Sequence, residues 1–285
     1  MRQAFAMNRV FKGLALPAIA LATVLLTLFA GSVGANAQTA ASGGSSPAGW
    51  YLALGDSVAT GYQPGLGDDP QGGYVGRVLP FLRTSAPRTQ LRNLACDGET
   101  SITFVSGGKC SYEQGSQLAQ AQVFLRAHSS ATRLVTLTIG GNDLTPCLTK
   151  ADPVTCAQAA LGTLAANLQQ SLARVHAAAP GAKIVVTNYY DPFLALWFTN
   201  PDLATLSTTL QGALNDTIAS VTSGIGGATA DVAAGFKSTD TTLIDGVPTN
   251  VAAICQLTWM CTKNDDHPND AGYAVIATTV IAKLA

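Results

Sequence analysis

Charge is what this sequence has least of. Only 12% of its 285 residues are Asp, Glu, Lys or Arg, and the formal net charge is −1. No basic patch or stripe occurs, which argues against nucleic acid as a partner. Low charge beside abundant Gly, Ala and Thr also argues against a disordered chain. Histidine is scarcer still. The three are His128, His176 and His267, and no Cys-x-x-Cys pair occurs. A metal-dependent phosphoesterase would need a cluster of ligands that is missing, so no metal is expected. The Gly-x-Ser-x-Gly turn of the α/β-hydrolases is absent as well. No internal repeat is visible.

What is present begins with a targeting pattern. Arg2, Arg9 and Lys12 precede an almost wholly apolar or small stretch from Gly13 to Val33, followed by Ala35-Asn36-Ala37. This reads as a secretory signal peptide over residues 1–37. The stretch approaches the length that spans a bilayer, so the alternative is a retained anchor; the Ala-x-Ala end favours cleavage. Residues 38–48, rich in Ala, Gly and Ser, read as a flexible leader, and residues 49–285 as a single α/β domain. The first 37 residues hold three positive charges and no negative one, so the remainder carries −4. The expected location is extracellular. All six cysteines lie in the mature part, an even number that favours disulfides in an exported chain. Cys96 and Cys110, Cys147 and Cys156, and Cys255 and Cys261 are the neighbouring couples, and these three short-loop pairings are expected among fifteen possible connectivities.

Five short apolar runs read as strands, at about 49–55, 89–95, 133–139, 182–188 and 228–234, each followed by a helical segment. The clearest helix spans 153–178, where Ala157, Leu161, Leu164, Leu168, Leu172 and Val175 share one face of a 3.6-residue period. A closing helix is expected over Ala271–Leu284. Such alternation implies a parallel sheet covered on both faces, with ligands at the carboxyl ends of its strands.

Those ends carry the informative residues. The first strand stops at Gly55 and delivers Asp56-Ser57, with Gly61 beyond. A serine after a strand is most often a turn former or helix cap; as a nucleophile it would need a base and a place for the oxyanion. After the second strand comes Gly98, whose simplest role is in a turn but whose N–H could face a cleft. After the third comes Gly140-Gly141-Asn142-Asp143. Asn142 could donate its amide to developing negative charge or merely close a turn. His128 and His176 fall late in helical segments, where capping carbonyls or facing solvent is expected. His267 alone sits in a loop beside carboxylates, at Asn264-Asp265-Asp266-His267-Pro268, where a general base could be held. Asp56 and Asp143 read as structural, bonding loop backbone. Asp191 reads as a turn residue before Pro192.

Taken together, Gly55-Asp56-Ser57, Gly98, Gly141-Asn142-Asp143 and His267-Pro268 come in the Ser, Gly, Asn, His block order of the GDSL or SGNH hydrolases. The sequence resembles that family over roughly 50–284. The signal peptide and cysteine couples are similar to those of its secreted bacterial esterases and lipases. The resemblance implies a flavodoxin-like three-layer α/β/α sandwich with a five-stranded parallel sheet, and no cofactor. It implies Ser57 as nucleophile, His267 as its base, and Ser57 N–H, Gly98 N–H and the Asn142 side chain as the oxyanion hole.

The departure from the family lies in the acid. The usual block is Asp-x-x-His, and that first position is Asn264 here. Asp265, from a slightly shifted loop, a backbone carbonyl near Trp259–Lys263, or the Asn264 amide oxygen could each orient the imidazole. The expected activity is hydrolysis of carboxylic esters through an acyl-enzyme, on a small-molecule or lipid ester. Phospholipids, acylated polysaccharides and a catalytically silent binding role are the alternatives. Loops 60–72, 144–152 and 191–202 are candidate pocket walls, with Tyr62, Leu144, Phe193, Leu196, Trp197 and Phe198 as their apolar side chains, and ordinary core packing as the alternative role. The apolar run Pro192–Phe198 could also touch lipid transiently. The chain is expected to be a monomer.

Overall fold

A computed structural model describes residues 48–285. The expected signal peptide and, apart from Ala48, the leader lie outside the described residues. The strands are β1 (Trp50–Gly55), β2 (Gln90–Asn93), β3 (Thr132–Thr138), β4 (Lys183–Thr187) and β5 (Ala228–Ala230), all parallel, in the order β2-β1-β3-β4-β5. The order reverses between β1 and β3, so a crevice opens beyond the carboxyl ends of those two strands. The fifth strand is shorter than the sequence suggests. Asp231 ends it by accepting from Ala234 N–H, which starts a helical turn at Val232.

The helices in chain order are α1 (Ser57–Thr60), α2 (Gly73–Ser85), α3 (Ser101–Ser106), α4 (Gln117–Ala127), α5 (Gly141–Leu144), α6 (Pro153–Ala178), α7 (Pro201–Gly224), α8 (Val232–Gly235), α9 (Thr249–Leu257), α10 (Met260–Lys263) and α11 (Asp270–Ile281). Two 3₁₀ segments, Thr145–Thr149 and Pro192–Phe198, occupy stretches expected as loops. A small antiparallel hairpin, β6 (Leu243–Ile244) with β7 (Val247–Pro248), was not expected.

Period-two side-chain alternation splits the core into two layers. Leu52, Leu54, Ile184 and Val186 face one way, against Phe104, Leu118, Leu125, Leu164, Leu168 and Leu214 from α3, α4, α6 and α7. Tyr51, Ala53 and Val185 face the other, against Tyr74, Val78, Val251, Ile254, Tyr273 and Ile276 from α2, α9 and α11. This is the three-layer α/β/α sandwich, with a flavodoxin-like strand order. α6 holds its expected bounds because Asp152 accepts from Thr155 N–H at the start, Pro153 needs no donor there, and Pro180 follows its end.

The six cysteines pair as Cys96–Cys110, Cys147–Cys156 and Cys255–Cys261. Three disulfides are a feature of proteins matured in oxidising compartments. Among the described residues, no helix is long and apolar enough to cross a membrane.

Candidate active site

β1 ends where the chain must turn at once into a helix. Gly55 adopts φ 123°, Asp56 N–H donates to Thr138 O at 2.9 Å, and Asp56 Oδ1 caps α1 by accepting from Val58 N–H at 3.0 Å. Ser57 is thus the first residue of α1, buried on the border of the crevice. The Ser57 N–H points out of a helix start and has no acceptor among the described residues; neither does the Gly98 N–H. Asn142 enters from the start of α5, and its Nδ2 donates to Glu99 O at 3.0 Å. That bond uses one amide proton and leaves the other available.

His267 arrives from the opposite side. Its Nε2 lies 2.7 Å from Ser57 Oγ and its Nδ1 lies 2.9 Å from Asp265 Oδ1. The same Oδ1 accepts from His267 N–H at 3.0 Å. Asp266 Oδ1 is farther from Nδ1, at 3.3 Å, and its side chain is more exposed, 46% against 21% for Asp265. A carboxylate only accepts, so Nδ1 carries the imidazole proton and Nε2 presents its lone pair to the serine. Of the three orienting groups open in the sequence, Asp265 is the one in contact. The shift has a local cause. Asn264 ends α10 at φ 53°, a left-handed turn that places Asp265 beside the ring. The carbonyls of Trp259 and Met260 are taken by the N–H groups of Thr262, Lys263 and Asn264.

The histidine loop is pinned by contacts that sequence reasoning missed. Trp259 N–H donates to His267 O at 3.0 Å. Gln63 Nε2 donates to Pro268 O at 2.9 Å, and its Oε1 accepts from Trp259 Nε1 at 2.8 Å. The Tyr62 ring sits 4.4 Å from the imidazole. Tyr190 OH donates to Asp266 O at 2.7 Å. The only advance signal for Gln63 was nearness to Ser57 in sequence; Tyr62 was expected as a pocket wall and packs on the imidazole instead. His128 caps carbonyls as expected, through its backbone rather than its ring. Its N–H caps α4 at Phe124 and Leu125, but its ring packs 4.9 Å from Trp50 and 4.6 Å from Phe124. His176 is exposed in the last turn of α6.

Asp56 does more than bond loop backbone. Its Oδ2 accepts from Tyr189 OH across the sheet, and Tyr189 is itself clamped, N–H and C=O both, by the Asn215 amide at 2.9 and 2.8 Å. Burial pushes the Asp56 carboxyl up to about 7, against the opposing pull of the Tyr189 hydroxyl, Val58 N–H and His267. Asp191 is also buried and pushed up to about 6 by burial, offset by the hydroxyls of Ser207 and Thr208 and by Phe193 N–H. Asp143 accepts from Ser101 N–H at 2.8 Å and from Ser101 Oγ, which ties α5 to α3.

These raised values have a stability consequence. Between the unfolded carboxylate value near 4 and about 7, native Asp56 keeps a proton that the unfolded chain has released. Its contribution is therefore complete below about pH 4, falls as pH rises through this window, and is constant above it. Asp56→Asn stays neutral throughout. It is expected to gain stability relative to the wild type between pH 4 and pH 8, by up to about 4 kcal/mol. Urea midpoints at both pH values check this; parallel stability curves for the two proteins would sink it.

The crevice holds a cleft of about 100 Å³ bordered by Ser57, Asn142, Tyr189, Tyr190, Phe193 and His267, with Asp56, Asp97 and Asp266 as its acidic wall residues. A side pocket of about 20 Å³ adjoins it, walled by Leu144, Leu148, Phe193 and Leu210, with Asp191 and Ser207 also on its border. Of the expected apolar lining, Phe193 and Leu144 are present. Leu196, Trp197 and Phe198 are not among the wall residues, because the 3₁₀ segment turns them elsewhere. No residue of loop 60–72 borders either space; Tyr62 lies against the imidazole instead. Asp265, Asp266 and His267 are the one group among the described residues with metal-ligand spacing, their ligand atoms lying within 4.8 Å of one another. The same carboxylates engage Nδ1.

The sequence model of the GDSL-like Lipase/Acylhydrolase family matches residues 53–275. No curated protein sequence matches. Among solved structures, the chain is similar to phospholipase A1 from Streptomyces albidoflavus, at 24% identity and TM-score 0.57, over 84% of this chain and 100% of that one. An extracellular lipase from Streptomyces rimosus gives 23% identity and TM-score 0.57, over 84% and 100%. An acetyl-xylooligosaccharide esterase from Geobacillus gives 15% and 0.55, over 83% and 94%. At these identities the structural likenesses speak for the fold. The family match spans both the Ser57 turn and the His267 loop, and on it the chain belongs to the GDSL-like lipase/acylhydrolase family.

Proposed function

We propose that this chain is an exported serine hydrolase that cleaves carboxylic esters of short acyl chains. The observation that carries the reading is the chain of contacts Asp265–His267–Ser57, with 2.9 Å on one side of the imidazole and 2.7 Å on the other. Ser57 Oγ attacks the ester carbonyl as its proton passes to Nε2. The carbonyl oxygen becomes an oxyanion and takes up the Ser57 N–H, the Gly98 N–H and the free proton of the Asn142 amide. Collapse breaks the bond to the alcohol oxygen, which leaves with the proton from Nε2. Water then attacks the acyl-serine by the same route and releases the acid. Asp265 keeps the imidazole in the productive tautomer and stabilises its charged form.

The small space supports a short acyl group. The side pocket that adjoins the Ser57 cleft, about 20 Å³ and itself not bordered by Ser57, is room for one or two heavy atoms, judged against the 10–15 Å³ that a single water needs. Lipase, phospholipase and acetyl-esterase relatives of the same fold span the wider range of substrates. Export rests on the charged-apolar-small pattern of residues 1–37 and agrees with the three disulfides. Residues 49–285 form the hydrolase domain in this reading. Phe198, 54% exposed at the end of its 3₁₀ segment, is the residue of that apolar run available to a lipid surface.

An active-site titration tests the proposal. A p-nitrophenyl phosphonate diester is expected to release one p-nitrophenol per chain, leave its adduct on the Ser57 peptide by mass spectrometry, and abolish hydrolysis of p-nitrophenyl esters. In the ester series, kcat/KM for acetate or butyrate is expected to exceed that for palmitate at least about tenfold. An adduct on another residue, or none with no hydrolysis, overturns the serine mechanism. A palmitate optimum overturns the short-acyl assignment alone.

A further inference from the structure

The turn that carries Ser57 lacks a strand neighbour on one side. Pairing between β1 and β2 ends at Ala53 opposite Asn93, whereas pairing with β3 continues to Gly55 opposite Thr138. Past that point Gly55 O still accepts from Cys96 N–H at 2.9 Å, whereas Gly55 N–H must find its acceptor on a side chain, since buried peptide groups are almost always paired. The side chain that supplies it also donates to the carbonyl. Gln117, the first residue of α4 and wholly buried, accepts from Gly55 N–H at 2.6 Å and donates to Gly55 O at 3.0 Å. Its amide replaces the acceptor that β2 no longer offers to Gly55 N–H, and shares Gly55 O with Cys96 N–H.

The remaining amide proton reaches the next segment. Gln117 Nε2 also donates to Glu99 Oε2 at 2.8 Å. Glu99 follows Gly98 directly, and its carbonyl is the acceptor that holds Asn142 Nδ2 at 3.0 Å. The Glu99 side chain is buried with Oε1 lacking a hydrogen-bond partner; besides Gln117, Thr103 and the Lys109 charge act on its carboxylate. One amide thus touches two of the three segments that carry Ser57 N–H, Gly98 N–H and Asn142, and reaches the third through Glu99. The partners lie 62 and 18 residues away in sequence.

We propose that Gln117 is a positioning residue for the oxyanion site, setting the spacing of its three donors without touching substrate. The inference rests on the hydrolase reading above. Donors that are misplaced by a fraction of an ångström stabilise the tetrahedral oxyanion less but leave ground-state binding in the cleft largely alone, so the loss falls on kcat rather than KM.

The experiment compares Gln117→Met, which keeps size and removes the hydrogen bonds, with Leu125→Ala, which loosens the core side of the same helix. Initial rates on p-nitrophenyl acetate are read well below each midpoint of unfolding. Gln117→Met is expected to lower kcat about 30- to 100-fold with KM within about threefold, and to slow phosphonylation of Ser57 in proportion. Leu125→Ala is expected to lose stability yet keep kcat within about threefold. Should Gln117→Met fail to fold, Gln117→Glu replaces it; it keeps the acceptor for Gly55 N–H and, sharing a proton with Glu99, holds at most one donor where the amide held two, and is expected to show the same split. Folded Gln117 variants with kcat within threefold of wild type overturn the inference. So does an equal loss in Leu125→Ala, which would mean general loosening. Wild type that takes up no phosphonate at Ser57 overturns the hydrolase reading instead, which keeps the two failures apart.

Discussion

Asp265→Asn is expected to lower kcat for p-nitrophenyl acetate by about 10³-fold, while Asp266→Asn lowers it by less than about tenfold. Two adjacent carboxylates approach the same Nδ1, and geometry separates them. Asp265 is nearer, at 2.9 Å against 3.3 Å, and less exposed. Its Oδ1 is also fixed by His267 N–H, so the acceptor is held in place before the imidazole charges. Asparagine at 265 offers a neutral oxygen, which stabilises the imidazolium less, or an N–H, which would force the wrong tautomer. The more exposed Asp266 is screened by solvent, and its charge contributes correspondingly little. Initial rates for the two variants and for Ser57→Ala, with unfolding midpoints as controls, decide the matter. A larger loss at Asp266 would reassign the acid. Losses below tenfold in both would show that the imidazole is oriented without a carboxylate.

How much of this was legible in the sequence follows from the range of the interactions involved. β3 and β4 are short β-branched runs with nowhere to go but a buried sheet, and α6 announces itself by one apolar face between Asp152 and Pro180. Such local signals gave the layers and the strand order's helical covers. β2 and β5 are shorter than expected because their ends are set by tertiary pairing, with Ala53 and with Thr187. The cysteine couples close short loops and so were readable from spacing. The acid next to His267 was not. Whether Asp265, Asn264 or a carbonyl meets Nδ1 depends on one left-handed residue, Asn264, and sequence does not dictate that turn.

The supporting contacts were less legible still. Tyr189 reaches Asp56 over 133 residues, and Gln63 reaches Pro268 over 205. Neither residue type is unusual where it stands. Gln117 looks like an ordinary helix residue after a capping serine, and only the end of β2 gives its amide a purpose. Residues that do chemistry are few in type and recur in blocks, so they can be found from sequence. Residues that hold those blocks at the right distance have no type of their own.

Gly55 is where the turn is tightest, and Gly55→Ala is expected to cost about 3 kcal/mol or more. At φ 123° the position suits glycine, and a Cβ built there would lie 1.9 Å from Thr138 O, a backbone atom of the adjoining strand. The new methyl has no flexible neighbour to displace, so β1 and β3 would have to part beside Ser57, and the Asp56 N–H to Thr138 O bond would go with them. For a domain of this size the midpoint of thermal unfolding is expected to fall by about 6–12 °C, a large part of a typical stability margin. Hydrolysis should fall with it, because Ser57 moves relative to His267. Gly162→Ala is the contrast. It lies within α6 with nothing inside 4 Å of the added Cβ, and is expected to gain about 0.5–1 kcal/mol from helix propensity alone. Opposite signs for one substitution at two glycines would locate the constraint in the close approach of β1 to β3. A Gly55→Ala protein that melts and turns over like the wild type would show that the strands can separate there freely, and that something other than this contact sets the nucleophile in place.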